Sequence, residues 1–464
     1  MPEAPKLPDL RRELRLRDLV LFQIIYVLGP VGIGPAALLG RSHTWFWLAA
    51  VGCFFVPQAA LVIALSRQWP LEGGLYQWVK FGFSERLGFL TAWNLWLCNI
   101  TLAAYAGVTI INHLVYALGP GAQWMSDSKA LNVGFSALVL GSISLLSVRG
   151  LGVGKWVHNT GAACIVLCYA ALLLLPLAGV AEHRLPAYAP LPLAFPAFTL
   201  VSVNVFSKLM LQALIGLEEA AVLAGECHDP ARHLTRATWI AGPVIALLFI
   251  LGTSSLLAFV PADKIDLAAP FPQAVQAATH LLGIRWPLLP LVCAGLIVYW
   301  FAGASCAFAA VTRLPLVAGW DYLLPGWFTK LHPVWRTPVN SILFTALLSL
   351  AIVSYSLLGA GHEETFQLLL NQVSVFNALA YLPMFALPLL GRVVAGPGLK
   401  TLAALGFAST LFYIVQAVFP LVDVQSRGWF AFKVLSLIGA ANLSGVALYR
   451  AGERRQRQAT TAAA

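Results

Sequence analysis

Two short stretches of this chain break otherwise apolar runs and leave main-chain groups free for binding. Gly29-Pro30-Val31-Gly32-Ile33-Gly34-Pro35 interrupts the run 19–40, and Ile215-Gly216-Leu217-Glu218-Glu219 interrupts the run 198–224. Proline at both ends of the first stretch rules out a continuous hydrogen-bond ladder, and its glycines permit unusual dihedrals and close approach. The freed amides of Val31, Gly32, Ile33 and Gly34 are suited to a carboxylate, helped by the positive end of the half-helix that follows. The unpaired carbonyls of Gln212, Ala213, Leu214 and Ile215, ending at Gly216, are suited to an ammonium. Together they would hold a zwitterion such as an α-amino acid without any charged side chain. A lone glycine is more simply read as a close-packing contact, but two matched breaks are not.

Glu218 lies within the second break. An acid at the centre of a membrane helix costs about 2.5–3.5 kcal/mol on insertion scales, which marks it for gating or proton coupling. The structural alternative is a protonated acid donating one hydrogen bond to the broken backbone. Glu219 points about 100° away on a helix. Trp93, Asn94 and Tyr299 are candidates for selecting the substrate side chain from facing spans. Lys208 lies about 15 Å before Glu218 along a helix, so it is expected to snorkel to the outer interface rather than pair with it. Asn371, Gln372 and Asn377 are read first as bonds between helices.

The elements that carry these residues are membrane spans. The 464 residues are 59% hydrophobic and 10% charged, with a mean hydropathy of +0.79, against about 25% charged in soluble proteins. Twelve spans are predicted, at 19–40, 44–66, 85–118, 130–148, 152–179, 198–224, 236–260, 286–315, 338–358, 364–390, 401–421 and 428–449. Short amphipathic helices are expected after Glu72 and over 264–282. A helix can break at membrane depth only where the freed groups line a cavity or bind something. Breaks in the first and sixth spans fit five helices followed by five inverted ones with two appended, the plan of a secondary transporter. The expected organisation is a tail 1–18, a ten-helix core 19–390, two further helices in 391–450 and a tail 451–464. Of the 29 Lys and Arg, seven (Arg41, Lys129, Arg184, Lys264, Arg285, Arg427 and Lys433) fall on the face opposite the N-terminus and Lys208 within a span. The other 21 lie on the N-terminal face, so the positive-inside rule makes both termini cytoplasmic. Basic residues so dispersed over short loops are no nucleic-acid footprint. Seven cysteines, mostly within spans, suggest buried thiols and no metal site or disulfide framework. No phosphate loop, catalytic triad or cofactor motif is present, which argues against an enzyme or an ATP-driven pump.

Several ordered blocks resemble the amino acid–polyamine–organocation permease family. They are the helix-1 break, Pro70-Leu71-Glu72-Gly73-Gly74-Leu75-Tyr76, Gly88-Phe89-Leu90-Thr91-Ala92-Trp93-Asn94, and Ala213 through Glu219 continuing to Asp229-Pro230-Ala231-Arg232. A last set is Thr312-Arg313-Leu314-Pro315, Leu323-Leu324-Pro325 and Thr337-Pro338. The resemblance implies an all-α LeuT-type fold and transport of amino acids or related amines. Departures bear on details. Gln212 stands near an aromatic gate of some members. Ile165 stands where proton-coupled members carry a lysine, and Cys306 follows Ser305 where sodium-coupled relatives of the fold offer two hydroxyls. Gly32-Ile33-Gly34 replaces the acidic residue of polyamine carriers, which favours a zwitterion. The expectation is a secondary active amino acid transporter of the cell membrane, working by alternating access, with the proton as candidate coupling ion and the lipid bilayer as its surroundings. An exchanger, a polyamine or amine carrier, and a non-transporting amino acid sensor stay open as alternatives. Oligomeric state is not legible.

Overall fold

The computed structural model describes residues 16–69, 74–149, 151–217, 230–317, 324, 327–328, 330–335 and 337–463. Among them all regular structure is helical. Ten helices are long and apolar enough to cross a membrane: Gly40–Gln68, Glu85–Leu118, Lys129–Arg149, Trp156–Ala181, Arg232–Phe259, Leu288–Ala309, Val339–Leu357, His362–Leu389, Pro397–Gln416 and Arg427–Gln456. The predicted spans missing from that set are the first and the sixth, which are the two that the sequence breaks.

The first is split into α1, Leu16–Val27, and α2, Ile33–Ala37, with non-helical backbone between them. α3, Gly40–Gln68, follows at once and contains a π-helical turn at Val51–Phe55. The short α4, Leu75–Gly82, leads into α5, Glu85–Leu118. α6 is Lys129–Arg149 and α7 is Leu151–Ala181. The sixth span begins as α8, Leu200–Ala213, whose last turn, Leu209–Ala213, is again π-helical. Then come α9, Pro230–Phe259, and α10, Pro270–Leu282, a short helix opened by proline at its first turn as the sequence predicts. α11 is Leu288–Val317, α12 Val339–Leu357, α13 His362–Leu389, α14 Pro397–Gln416 and α15 Arg427–Ala463.

Local signals explain the ends that matter. Ser84 caps α5, its hydroxyl accepting from the Leu87 amide at 3.2 Å, and Gly119 ends the helix with φ +89°. Thr199 and Ser202 form a reciprocal capping box at the start of α8. At 34 residues α5 is about 51 Å long, so it must tilt or protrude from a hydrocarbon layer about 30 Å thick. α5 and α13 are buried along most of their lengths and form the centre of the bundle. α14 and α15 sit at the periphery and turn residues such as Leu411, Leu435 and Leu443 outward. Among the described residues, the two spans that break lie beside these two central helices.

Candidate functional site

The breaks meet. A Cβ on Gly32 would lie 2.6 Å from Ala213 Cβ and 2.9 Å from the Trp47 ring, so only glycine lets the helix-1 break lie against the end of α8. Gly216 has φ +107°, and a Cβ there would meet the Tyr26 ring at 2.5 Å. The second break thus packs back against α1. Two tyrosines from other helices satisfy the exposed backbone. Tyr169 on α7 donates its hydroxyl to the Gly29 carbonyl at 3.0 Å. Tyr381 on α13 accepts from the Gly216 amide at 3.3 Å and from Gln58 Nε2 at 2.8 Å. An unmade bond at such a buried group would cost about 1–3 kcal/mol. The π-turn of α3 is supported likewise, with Ser409 donating to the Cys53 carbonyl at 3.0 Å.

Around this junction lies a cavity of about 490 Å³. Val31, Gly32, Gln212, Ala213, Ile215, Gly216 and Tyr299 all line it. Of the remaining sequence candidates, Ile33 is fully buried against Gly252 and Gly34 lies under Pro270, so both turn from the cavity. Leu214 is buried in the apolar core. Trp93 and Asn94 face α15 instead: Trp93 Nε1 donates to the Ala441 carbonyl at 2.9 Å, and Asn94 Nδ2 to Asn442 Oδ1 at 2.8 Å. Their helix is the right one, but their phase on it is not. The cavity face of α5 is Leu95, Cys98, Asn99, Leu102 and Ala106, spaced as one stripe of a helix. Glu218, Glu219 and residues 70–73 lie outside the described residues.

Gln212 is held in place by side chains. Its Nε2 donates to Asn371 Oδ1 at 2.7 Å and to the Tyr413 hydroxyl at 3.2 Å, and Asn371 Nδ2 in turn donates to the Ala417 carbonyl at 2.7 Å. Asn371 therefore bonds between helices, whereas Asn377 lines the cavity with no partner for its Oδ1. Lys208 corrects the snorkelling expectation. It is 1% exposed, donates to the Gln416 carbonyl at 3.2 Å and sits 5.2 Å from the Tyr413 ring centroid. Gln416 is the last residue of α14, and the negative end of a helix together with an aromatic face makes a buried ammonium tolerable.

The cavity runs from the junction past Tyr26 and Leu21 of α1, His158 and Asn159 near the start of α7, and Cys306 and Ala307 of α11. Of these, Leu21, His158 and Asn159 are nearest to their helix ends on the N-terminal face. In the other direction Tyr105, Trp300 and Phe366 close it, with ring centroids 5.3 and 5.1 Å from Tyr105. Neither carboxylate nor lysine nor arginine lines it among the described residues. Nothing in composition pointed to Tyr105, Trp300, Asn99 or Asn159. They became visible only once helix phases were fixed.

Compared with known proteins, residues 19–441 match the family described as amino acid permease. The chain belongs to the amino acid permease family. Relatives of this permease are transporters rather than enzymes. An uncharacterized transporter of Legionella pneumophila is 24% identical over 387 residues, covering 81% of this chain and 80% of that one. A probable agmatine/putrescine antiporter of Lactococcus lactis is 22% identical over 388 residues, with 81% and 78% covered. A chloroplastic cationic amino acid transporter of Arabidopsis thaliana is 24% identical over 433 residues, with 89% and 71% covered. The permease is a multi-pass membrane transporter.

Proposed function

We propose that this permease is a secondary active transporter that moves amino acids or closely related amines by alternating access around the central cavity. The observation that carries this reading is the contact of the two breaks, Gly32 on Ala213, at the wall of one central cavity. Broken helices at the midplane are how such carriers expose main-chain dipoles to a substrate while keeping the rest of the bilayer-spanning backbone satisfied. With no ionised carboxylate, lysine or arginine on the described cavity wall, the head groups would be held by main chain. Amides of the Val31–Gly32 segment would take a carboxylate, and carbonyls at 212–215 would take an ammonium. Tyr299, against Gly29, Asn377 and Asn99 would meet the substrate side chain. Glu218, within the second break of the sequence, is proposed to gate the pathway or carry the coupling proton. The dispersed positive charge favours cytoplasmic termini in the cell membrane, and the cavity then opens inward.

The test is uptake of a labelled amino-acid mixture into liposomes carrying the purified protein. Four conditions are compared: an inward proton gradient, a sodium gradient, preloaded amino acid, and none. Accumulation under the proton gradient, lost in Glu218→Gln with insertion intact, is the expected result. Flux only against preloaded substrate would make the protein an exchanger, a reading that the similarity to a probable antiporter favours. Flux of diamines alone would make it an amine carrier. Tight amino acid binding with no flux in any condition would sink the transport reading in favour of a sensor.

A further inference from the structure

The opposite end of the bundle holds a second cavity of about 490 Å³. It is lined by Asn112 near the end of α5, Asp127 before α6, Asp266 before α10, Glu363 and Glu364 at the start of α13, and Asp423 between α14 and α15. α5 measures its separation from the central cavity. Ala106 lines one and Asn112 the other, about 9 Å apart along the helix, with Tyr105 and Trp300 on the wall of the central cavity and Phe366 packed against Tyr105.

The two cavities differ in chemistry. The central one has no carboxylate on its described wall; the outer one has five. Asp266 is spent on the fold, since it accepts from the Tyr116 hydroxyl at 2.7 Å and from the amides of Ala268 and Ala269 at 2.9 and 3.2 Å. Asp127, Glu363 and Asp423 are exposed at the rim. The floor is buried and polar: Asn112 is 4% exposed with neither amide atom hydrogen-bonded, and Glu364 is 2% exposed with Oε1 unbonded. Buried polar groups are ordinarily bonded, so a floor with three open valences facing a cavity calls for an occupant. Lys433, which donates to the carbonyls of Ser356 and Leu358, is in electrostatic reach of Glu364 but does not line the cavity. His362 is the basic side chain that does, among the described residues.

A metal ion does not suit this arrangement. Among the described residues no three carboxylate, imidazole or thiol side chains converge closely enough to hold one. Acids spread round a rim above a buried amide and carboxylate suit an elongated cation whose charges are themselves apart. We propose that the outer cavity is a second binding site, for organic cations carrying two separated ammonium groups. One ammonium reaches Glu364 and the Asn112 amide oxygen, and the other is met by Glu363, Asp423 or Asp127. The inference rests on the transport reading only in taking both cavities to lie on one route; binding is read without flux, so the two can fail separately.

The experiment is calorimetric titration of the full-length protein in detergent with 1,4-diaminobutane, 1-aminobutane and Mg²⁺. Diamine binding is expected at low ionic strength, at least tenfold tighter than the monoamine, and weakened by salt as screening sets in at about 8 Å near 0.15 M. The double variant Glu363→Gln/Asp423→Asn, confined to exposed side chains, should weaken it at least tenfold, and Asn112→Ala should weaken it as well. Unchanged diamine affinity in the rim variant overturns the proposal, as does equal affinity for the monoamine. Displacement of diamine by equimolar Mg²⁺ would make the cavity a metal site and overturn it too. A protein that binds diamine through this rim yet moves nothing would keep this inference and lose the transport one.

Discussion

Lys208 shows how a single residue is reconciled with a membrane interior. A buried ion loses several kcal/mol of hydration even after relaxation, and among the described residues no carboxylate pairs with Lys208. What it has is one carbonyl at the end of α14 and the face of Tyr413. A charge-assisted hydrogen bond contributes about 1.5–3 kcal/mol, and a desolvated cation–π contact about 2, so the balance is close to even. Replacement by an apolar chain of similar length should therefore not destabilise the fold. Lys208→Met is expected to unfold at or above the wild-type midpoint, whereas Lys208→Ala, which opens a hole beside Tyr413, should lose about 2–4 kcal/mol. Thermal unfolding in one detergent compares the two. A Met variant as weak as the Ala variant would mean that the ammonium contacts outweigh desolvation. Lys433 differs: it is fully buried against the carbonyl of Leu358, just past the end of α12, but Glu364 is within electrostatic reach.

At the scale of elements, the two broken helices are held by hydroxyls borrowed from α7 and α13. Tyr169→Phe should leave the Gly29 carbonyl unpaired, and Tyr381→Phe the Gly216 amide, at about 1–3 kcal/mol each. Because Gly32 touches Ala213, the breaks are in contact, and contacting sites do not behave additively. The double variant should depart from the sum of the singles by more than about 0.5 kcal/mol in the unfolding free energy; strict additivity would mean that the breaks relax independently. The breaks themselves were legible because glycine and proline cannot hide inside a helix, and their matched positions in the chain pointed to a shared cavity. Their supports were not legible: Tyr169 and Gly29 are 140 residues apart, and Tyr381 and Gly216 are 165 apart. The π-turns at Val51–Phe55 and Leu209–Ala213 have no composition of their own. Trp93 and Asn94 were misplaced for a related reason. A span that is apolar on every face carries no moment to fix its rotation, and α5 is buried on nearly all sides. A polar residue on it points equally well to the cavity or to a neighbour such as Asn442.

Over the whole molecule, the two cavities and the aromatic layer between them define a state. The central cavity extends toward the N-terminal face as far as Leu21, His158 and Asn159 and has Tyr105 and Trp300, packed with Phe366, at its other end, while the second cavity lies beyond them. On the proposed alternating-access reading, a carrier in this state exchanges with one compartment only, and alternation would require the rings to part as the lower end closes. Cys306 on the cavity wall reports which compartment that is. Reagents reach it through the opening past His158 and Tyr26, so a membrane-impermeant maleimide should label it from the N-terminal face and not from the other. Cys98 lines the same cavity and Cys227 lies outside the described residues, so a Cys98→Ser/Cys227→Ser background is used to isolate Cys306. Oriented vesicles, right-side-out and inside-out, separate the two faces. Substrate should slow labelling from the accessible face, first because it occupies the cavity and second because it draws the population toward states in which the lower end is closed. The expected slowing is severalfold at saturating substrate. Equal labelling from both faces would mean that the aromatic layer does not seal, and a protein open at both ends could not sustain a gradient.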